Sequence, residues 1–209
     1  MTSRIFRNVS AMACATLVVT QCLALLLPST GARAEPRKQE VDLDHTTIFW
    51  TVSHGGFTKV MYQFRKINKV DFAFDPSDVS KSSVKVEIEA ASLDSNHSFR
   101  DNWARSESEL NVWKFRTITF ESTKIEKTGD NVGRMTGNLT MHGVTQPVTM
   151  NLTYNKGGKH ISGKYSIDGF SAVGKFKRSE FELKAFTPWI SDEIEFTIQF
   201  EALRPNEPT

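Results

Sequence analysis

Short stretches in which apolar and polar residues alternate recur along almost the whole chain, and they constrain its fold more than any other feature. In the clearest of them, Val84, Val86 and Ile88 alternate with the charged residues Lys85 and Glu87. Such alternation places apolar side chains on one face of a β-strand and charged side chains on the other. Several such stretches, separated by short turns, predict an antiparallel sheet. A closed barrel is favoured because closure removes exposed strand edges.

The sharpest corner in this pattern is predicted within residues 139–148. Leu139 and Met141 alternate with polar neighbours, Gly143 frees the backbone, and Pro147 fixes φ as the alternation resumes. These residues predict two strands joined in a fixed register. They carry no obvious chemistry.

Two other segments depart from plain alternation. Gly157-Gly158 predicts a two-residue hairpin turn. Residues 97–113 contain Ser98 and Ser106, each followed three positions later by an acid, which is the pattern of a helix-capping box. We therefore expect one or two short helices in this excursion and none elsewhere.

Residues 1–34 have the features of a cleaved secretory signal peptide. Arg4 and Arg7 form a basic start, residues 11–27 are almost entirely apolar, and residues 32–34 place small residues where a signal peptidase cleaves. The alternative is a permanent N-terminal membrane anchor, since the apolar run is close to the length of a membrane span. Cleavage predicts an exported protein, which is compatible with a bacterial periplasm.

Both cysteines, Cys14 and Cys22, lie in this segment. The remainder therefore has no disulfide, thiolate nucleophile or cysteine metal site. Three of the 26 basic residues also lie in it, which leaves 23 basic residues against 24 acidic ones. This balance gives no support to a nucleic-acid partner, because such a partner requires a basic face.

The chain after the signal peptide is long enough for one domain with a substantial core. We expect residues 35–40 to form a flexible charged leader, residues 41–203 to form the domain, and residues 204–209 to form a tail. Phenylalanine occurs 15 times. Many of these residues have the inward parity of a strand, so the interior is predicted to be wide and apolar.

Candidate polar site residues are few. The five histidines have no spacing typical of a metal site, and no nucleophile motif is present. His54 has the same strand parity as Ile48, Trp50 and Val52, which predicts an inward imidazole. Such a ring either bonds a loop carbonyl or contacts the polar end of a ligand.

Charged residues in the helical excursion form a second candidate. Arg100, Asp101 and Arg105 either attach the excursion to the barrel or form a polar mouth that orients a ligand head group. Two basic runs, residues 65–69 and 175–178, are read as solvated faces. The alternative for these runs is a transient contact with an anionic membrane surface.

A set of segments in a fixed order covers nearly all of residues 41–203. The segments are 41–46 with 52–56, 91–94, Arg100-Asp101 with Arg105-Ser106, 117–122, 137–140 with 142–148, and 178–181. Together they resemble the YceI-like family of lipocalin-like polyisoprenoid-binding proteins. The resemblance implies an all-β fold: an extended eight-stranded antiparallel lipocalin-like barrel with an internal tunnel for an isoprenoid or other lipid chain. It also implies secretion to the periplasm.

The chain departs from the family pattern at three places in or beside the excursion. Trp103 stands where the family usually has a histidine, Glu109-Leu110 where it has a Phe-Phe pair, and Arg116 where it has a proline. If this segment covers the tunnel mouth, ligand choice differs from that of the relatives.

These observations predict a secreted protein that sequesters or transports an isoprenoid or other amphipathic lipid, of the quinone or polyprenyl phosphate type. No cofactor is expected beyond this bound lipid, and a homodimer is left open. The residues expected to line the tunnel have inward strand parity: Ile48, Trp50, Val52, Phe72, Val86, Ile88, Phe120, Met150, Leu152, Phe196 and Ile198. One alternative is an enzyme that acts on a lipid-like substrate with His54 or Arg100 and Asp101 as acid–base groups. Another is a stress or interaction protein with a solid core, because a packed core shows the same alternation as a tunnel.

Overall fold

A computed structural model describes residues 36–205 of the chain. The predicted signal peptide and the last four residues of the predicted tail lie outside the described residues. The described part has ten strands and one α-helix, α1. In chain order they are β1 Arg37–His54, β2 Thr58–Phe64, β3 Ile67–Phe74, β4 Ser83–Glu89, β5 Leu93–Asp94, α1 Ser98–Arg105, β6 Thr117–Gly129, β7 Val132–Met141, β8 Val144–Lys159, β9 Tyr165–Lys177 and β10 Glu193–Pro205. No helix among them is long and apolar enough to span a membrane.

Eight of these strands close into an antiparallel barrel, as predicted. Each strand pairs with its neighbour in the order β10-β9-β8-β7-β6-β4-β3-β1, and β1 pairs with β10 to complete the ring. The long strand β1 changes partner along its length: Arg37–Gln39 pairs with β3, whereas Phe49–His54 pairs with β2. The short strands β2 and β5 therefore extend the wall at the end of the barrel where β1 finishes.

The predicted corner at residues 139–148 is confirmed. β7 ends at Met141 and β8 begins at Val144, so the turn contains only His142 and Gly143. Both turn residues have positive φ, 53° and 78°, which is the backbone conformation of a two-residue hairpin turn. Met141 is fully buried, so a one-residue slip in register would move this side chain to the outer face.

The flexible leader predicted at residues 35–40 is wrong for residues 37–40, which belong to β1. Buried Asp168 explains the order at both ends of the domain. Its Oδ2 accepts hydrogen bonds from Gln39 Nε2 (3.2 Å) and from Arg204 Nε (3.3 Å). The predicted tail accordingly begins later than expected, because Arg204 and Pro205 are the last residues of β10.

The hairpin predicted at Gly157-Gly158 is also wrong, because β8 continues through both glycines to Lys159. Gly157 is required for packing and not for a turn. A Cβ atom there would lie 2.0 Å from Tyr154 Oη and 2.7 Å from Asp168 Oδ1. These two atoms are hydrogen-bonded to each other at 2.9 Å.

Within the helical excursion, only the first predicted helix forms. The residue that caps α1 is His97, one position before Ser98. The second capping box, at Ser106, does not start a helix: Ser106 follows the C-terminus of α1, and its hydroxyl donates to Trp103 O at 2.6 Å. Glu109 is therefore not part of a helix cap, and its side chain is buried.

Candidate functional site

The barrel encloses an elongated apolar space of about 370 Å³, which we call the main cavity. All eight barrel strands contribute inward-facing side chains to its wall. Of the residues predicted to line a tunnel, ten face this cavity: Ile48, Trp50, Phe72, Val86, Ile88, Phe120, Met150, Leu152, Phe196 and Ile198. Val52 does not line it and contacts a second, smaller space described below.

Two glycines in the barrel wall allow aromatic rings to lie close to the backbone. A Cβ atom at Gly137 would lie 2.3 Å from Phe120 Cζ, and one at Gly174 would lie 2.4 Å from Phe196 Cζ. Because glycine has no Cβ atom, each ring can pack directly against the backbone of the barrel wall. Any larger residue at these positions would push the ring from that place.

The main cavity reaches the surface at one end of the barrel. Its exposed lining residues lie in the β3–β4 connection, at Pro76, and in or beside the β6–β7 hairpin, at Glu126, Lys127 and Asn131. This end is therefore its mouth. It lies toward the start of β1, because β3 ends beside Arg37–Gln39.

A group of five packed aromatic rings forms part of the wall near the mouth: Phe72, Phe74, Tyr154, Phe170 and Phe200. Tyr154 is the polar member, and its hydroxyl donates to the buried Asp168 carboxylate. Burial and this hydrogen bond raise the pKa of Tyr154 above its usual value. The phenol therefore remains protonated and presents a neutral, mostly apolar face to the cavity.

At the opposite end, the ring of Trp50 lies between the main cavity and a second space and packs against the rings of Phe64 and Phe176. Trp50 contacts Phe64 and Phe176 edge to face, with ring centroids 4.6 and 5.3 Å apart. We call these three residues the Trp50 layer. Trp50 lines both spaces, so the two spaces meet at its ring.

The second space, of about 60 Å³, lies beyond the Trp50 layer and contains two buried charges. We call it the Glu109 chamber. Its wall includes Glu109 and Arg178, which are 7% and 3% exposed. Arg178 Nη1 lies 3.5 Å from Glu109 Oε1. Burial raises the Glu109 pKa to about 7, and the Arg178 charge and the Ala185 N–H oppose that rise.

Arg178 holds together the segment that closes this end of the barrel. Its guanidinium donates to the carbonyls of Leu183, Ala185, Ile190 and Ser191 at 2.7–3.1 Å. Five N–H groups on a planar fork suit such a set of acceptors. The side chain is therefore structural as well as charged.

The four predicted head-group residues line neither cavity. The inward orientation predicted for His54 is wrong: the residue is exposed and its ring lies 5.7 Å from that of Trp189. His54 does have the parity of Ile48, Trp50 and Val52. However, β1 extends beyond the barrel core before it reaches position 54.

Arg100, Asp101 and Arg105 attach the excursion to β5 and the residues after it. Asp101 Oδ1 accepts from Ser95 N (2.8 Å) and Ser95 Oγ (2.5 Å), and Arg100 Nε donates to Ser95 Oγ at 2.8 Å. Arg105 donates to Leu93 O. The excursion is located at the end opposite the mouth, because Trp103 and Ala104 of α1 line the Glu109 chamber.

The predicted basic runs are neutralised or buried at several positions. Arg65 pairs with Asp94 at 2.8 Å, Lys66 with Glu89 at 2.5 Å and Lys175 with Glu193 at 2.9 Å. Arg178 is buried, so reading the whole 175–178 run as a solvated face is wrong. Strand parity could have indicated the burial of Arg178. Lys175 and Lys177 point outward, whereas Phe176 and Arg178 point inward.

One group of possible metal ligands occurs among the described residues, where an irregular part of β1 pairs with β10. Asp42, His45 and Glu201 each place a ligand atom within 4.8 Å of the others. Asp42 also organises the local turn: its Oδ1 accepts from Asp44 N and His45 N, and its Oδ2 lies 2.8 Å from His45 Nδ1. The hydrogen bond with Asp42 raises the His45 pKa. These contacts account for Asp42 and His45 as residues that stabilise the local turn.

Comparisons with known proteins agree with this architecture. The family model of the YceI-like domain matches residues 39–202. The protein YceI of Salmonella arizonae is 36% identical over 184 residues, covering 87% of this chain and 94% of the relative.

Two solved structures show the same fold. The Burkholderia cenocepacia protein BcnA superposes with a TM-score of 0.70 at 24% identity, covering 78% of this chain and 99% of BcnA. A Saccharophagus degradans domain described as polyisoprenoid binding and implicated in plant cell wall breakdown superposes with a TM-score of 0.55 at 11% identity, covering 80% and 98%.

Proposed function

The chain belongs to the YceI-like family, and we propose that it is a binding protein that holds an isoprenoid or other long-chain lipid in the main cavity. The observation that carries this proposal is the cavity itself, an apolar space of about 370 Å³ enclosed by all eight barrel strands. Pockets for small ligands have volumes of roughly 300–1,000 Å³ and mostly apolar walls. The structural neighbour from Saccharophagus degradans, whose description names polyisoprenoid binding, supports the choice of ligand class.

The energetics of such a site require little polar recognition. Each buried methylene group contributes about 0.8 kcal/mol, so a few isoprene units supply most of the gross binding free energy. A quinone or a polyprenyl phosphate has a tail of this kind. The predicted signal peptide at residues 1–34 supports a periplasmic location, where a water-soluble carrier would shield such a tail.

The two alternatives from the sequence receive less support. A solid core would leave no space of this size between the strands. The enzyme hypothesis relied on His54, Arg100 and Asp101 as acid–base groups, and these residues line neither cavity. A carrier needs no such group near its ligand.

The test is recovery of lipid from protein produced in its own host. Native mass spectrometry and organic extraction of the purified protein should identify a prenyl-type lipid. The Ala172→Phe variant places a ring into the main cavity from a buried wall position and should lose most of this lipid.

Val173→Phe is the matched control, because Val173 is the next residue on β9 and is 47% exposed. This variant should retain the lipid at the level of the unmodified protein. Unmodified protein that contains no lipid would contradict the proposal. Equal lipid in both variants would show that the lipid binds outside the main cavity.

A further inference from the structure

The Glu109 chamber contains a buried acceptor whose hydrogen bonding is incomplete. Glu109 Oε1 is inaccessible to solvent and has no hydrogen-bond partner among the described residues. Arg178 Nη1, at 3.5 Å, is too far and too poorly placed for a good hydrogen bond. A buried carboxylate oxygen without a partner is costly, so such an atom calls for a donor that the protein itself does not supply.

The chamber is coaxial with the main cavity. Along β1 the inward residues Ile48 and Trp50 face the main cavity, and Trp50 and Val52 face the chamber. Along the paired strand β10, Phe196 lines the main cavity and Ile194 lines the chamber. The chamber is thus the next layer of the same barrel interior, beyond the Trp50 layer.

The charges in the chamber select the chemistry of an occupant. A phosphate or carboxylate would face the Glu109 carboxylate, and most of the Arg178 donors that could offset this repulsion are already bonded to carbonyl groups. A cation would approach the Arg178 guanidinium. A neutral donor satisfies Glu109 Oε1 without adding a charge to a buried region.

We propose that the Glu109 chamber receives the neutral hydrogen-bond-donating end, a hydroxyl group, of an amphipathic ligand whose apolar tail extends past the Trp50 layer into the main cavity. This inference rests on the proposed lipid-binding function and narrows its ligand class toward prenyl alcohols or hydroquinones and away from prenyl phosphates. A space of about 60 Å³ accommodates about four water molecules or one small polar group. Trp103 and Glu109 both line it.

The experiment compares three probes with one tail: farnesol, farnesyl methyl ether and farnesyl phosphate. The alcohol donates a hydrogen bond, the ether does not, and the phosphate is anionic. Dissociation constants are measured by titration calorimetry on delipidated protein at pH 8, where Glu109 is ionised. We expect the alcohol to bind at least about tenfold more tightly than the ether, because hydrogen bonds to charged acceptors contribute strongly. The phosphate should bind more weakly than the alcohol.

Glu109→Leu should reduce the alcohol-to-ether ratio to near one while the ether affinity stays within about threefold of that of the unmodified protein. Glu109→Gln keeps an acceptor oxygen and should give an intermediate ratio, and it serves if the leucine variant does not fold. Glu107→Gln, at an exposed position of the same segment, should leave the ratio unchanged.

Equal binding of alcohol and ether by the unmodified protein would overturn the inference, because no donated hydrogen bond would then contribute to affinity, while lipid binding itself would stand. The inference is also overturned if the phosphate binds most tightly or if Glu109→Leu keeps the ratio. Failure of all three probes to bind would overturn the proposed function as well.

Discussion

The two spaces inside the barrel have opposite characters, although they lie on one axis. Apolar residues on regular strands build the main cavity, and its mouth opens at the start of β1. The Glu109 chamber lies at the other end, where an ion pair, α1 and the segment after β9 close the barrel. Regular strands can provide a long apolar surface, whereas the buried pair of Glu109 and Arg178 requires irregular segments that bring residues distant in sequence together.

The largest effect on stability is expected at Arg178, which binds the segment that closes the end of the barrel at the Glu109 chamber. Arg178→Met should reduce the free energy of unfolding by about 3–5 kcal/mol, because it removes the opposite charge beside the buried Glu109 carboxylate and leaves several carbonyl groups without their donor. Chemical denaturation measures this change. Lys177→Met is the control on the neighbouring exposed residue and should change the stability by less than about 0.5 kcal/mol. A similarly small loss for Arg178→Met would show that the closing segment is stable without this side chain.

The wall of the main cavity should be sensitive to volume and not to charge. Gly137→Ala would place a Cβ atom 2.3 Å from Phe120 Cζ and 2.5 Å from Glu121 O. The backbone oxygen cannot move as readily as a side chain, so we expect a loss of about 1–3 kcal/mol in unfolding free energy. Thermal and denaturant unfolding provide the measurement.

Gly158→Ala is the matched control for this substitution. No atom lies within 4 Å of a Cβ built at Gly158, and this glycine is also part of a strand. Its replacement should not destabilise the protein. If both variants lose stability equally, the loss comes from the removal of glycine itself and not from the contact with Phe120.

The residues of the main cavity follow strand parity and could therefore be predicted, whereas the Glu109 chamber could not. Each inward residue of β1 or β10 is set by the period of two, which is a local property. The direction of Glu109 depends on the turns that follow α1, where Asn111 has a φ of 43°. The capping pattern at Ser106 predicted a helix instead. That pattern is local, whereas the attraction between buried Arg178 and Glu109 depends on tertiary structure and cannot be read from it. Position 178 was predictable in part, since it shares the inward parity of Phe176.

A change of pH should act on the Glu109 chamber, because Glu109 titrates near neutral pH. Burial raises the Glu109 pKa to about 7 in the folded protein, whereas an unfolded chain has the ordinary value. The folded state therefore binds the proton more tightly, and stability falls as the pH rises from about 5 to 8. Relative to Glu109→Gln, the unmodified protein should lose on the order of 1–2 kcal/mol over this interval.

The measurement is the unfolding free energy of the two proteins at several pH values, since other titrating groups cancel in the difference. If the unmodified protein instead gained stability relative to Glu109→Gln as the pH rises, the change would be opposite to the expected one. It would mean that attraction to Arg178 outweighs burial and lowers the Glu109 pKa.

The smallest effect is expected at His54, which the sequence singled out and the fold leaves outside both cavities. His54→Ala should change the dissociation constant of a prenyl alcohol by less than about twofold, because His54 is exposed, packs against Trp189 and lines neither cavity. Titration calorimetry beside Ala172→Phe, which fills the main cavity, gives a direct comparison of the two positions. A tenfold loss for His54→Ala would mean that the ligand extends past the Glu109 chamber to the end of β1. The chamber would then be a passage in the tunnel, and the hydroxyl group of the ligand would lie beyond Glu109.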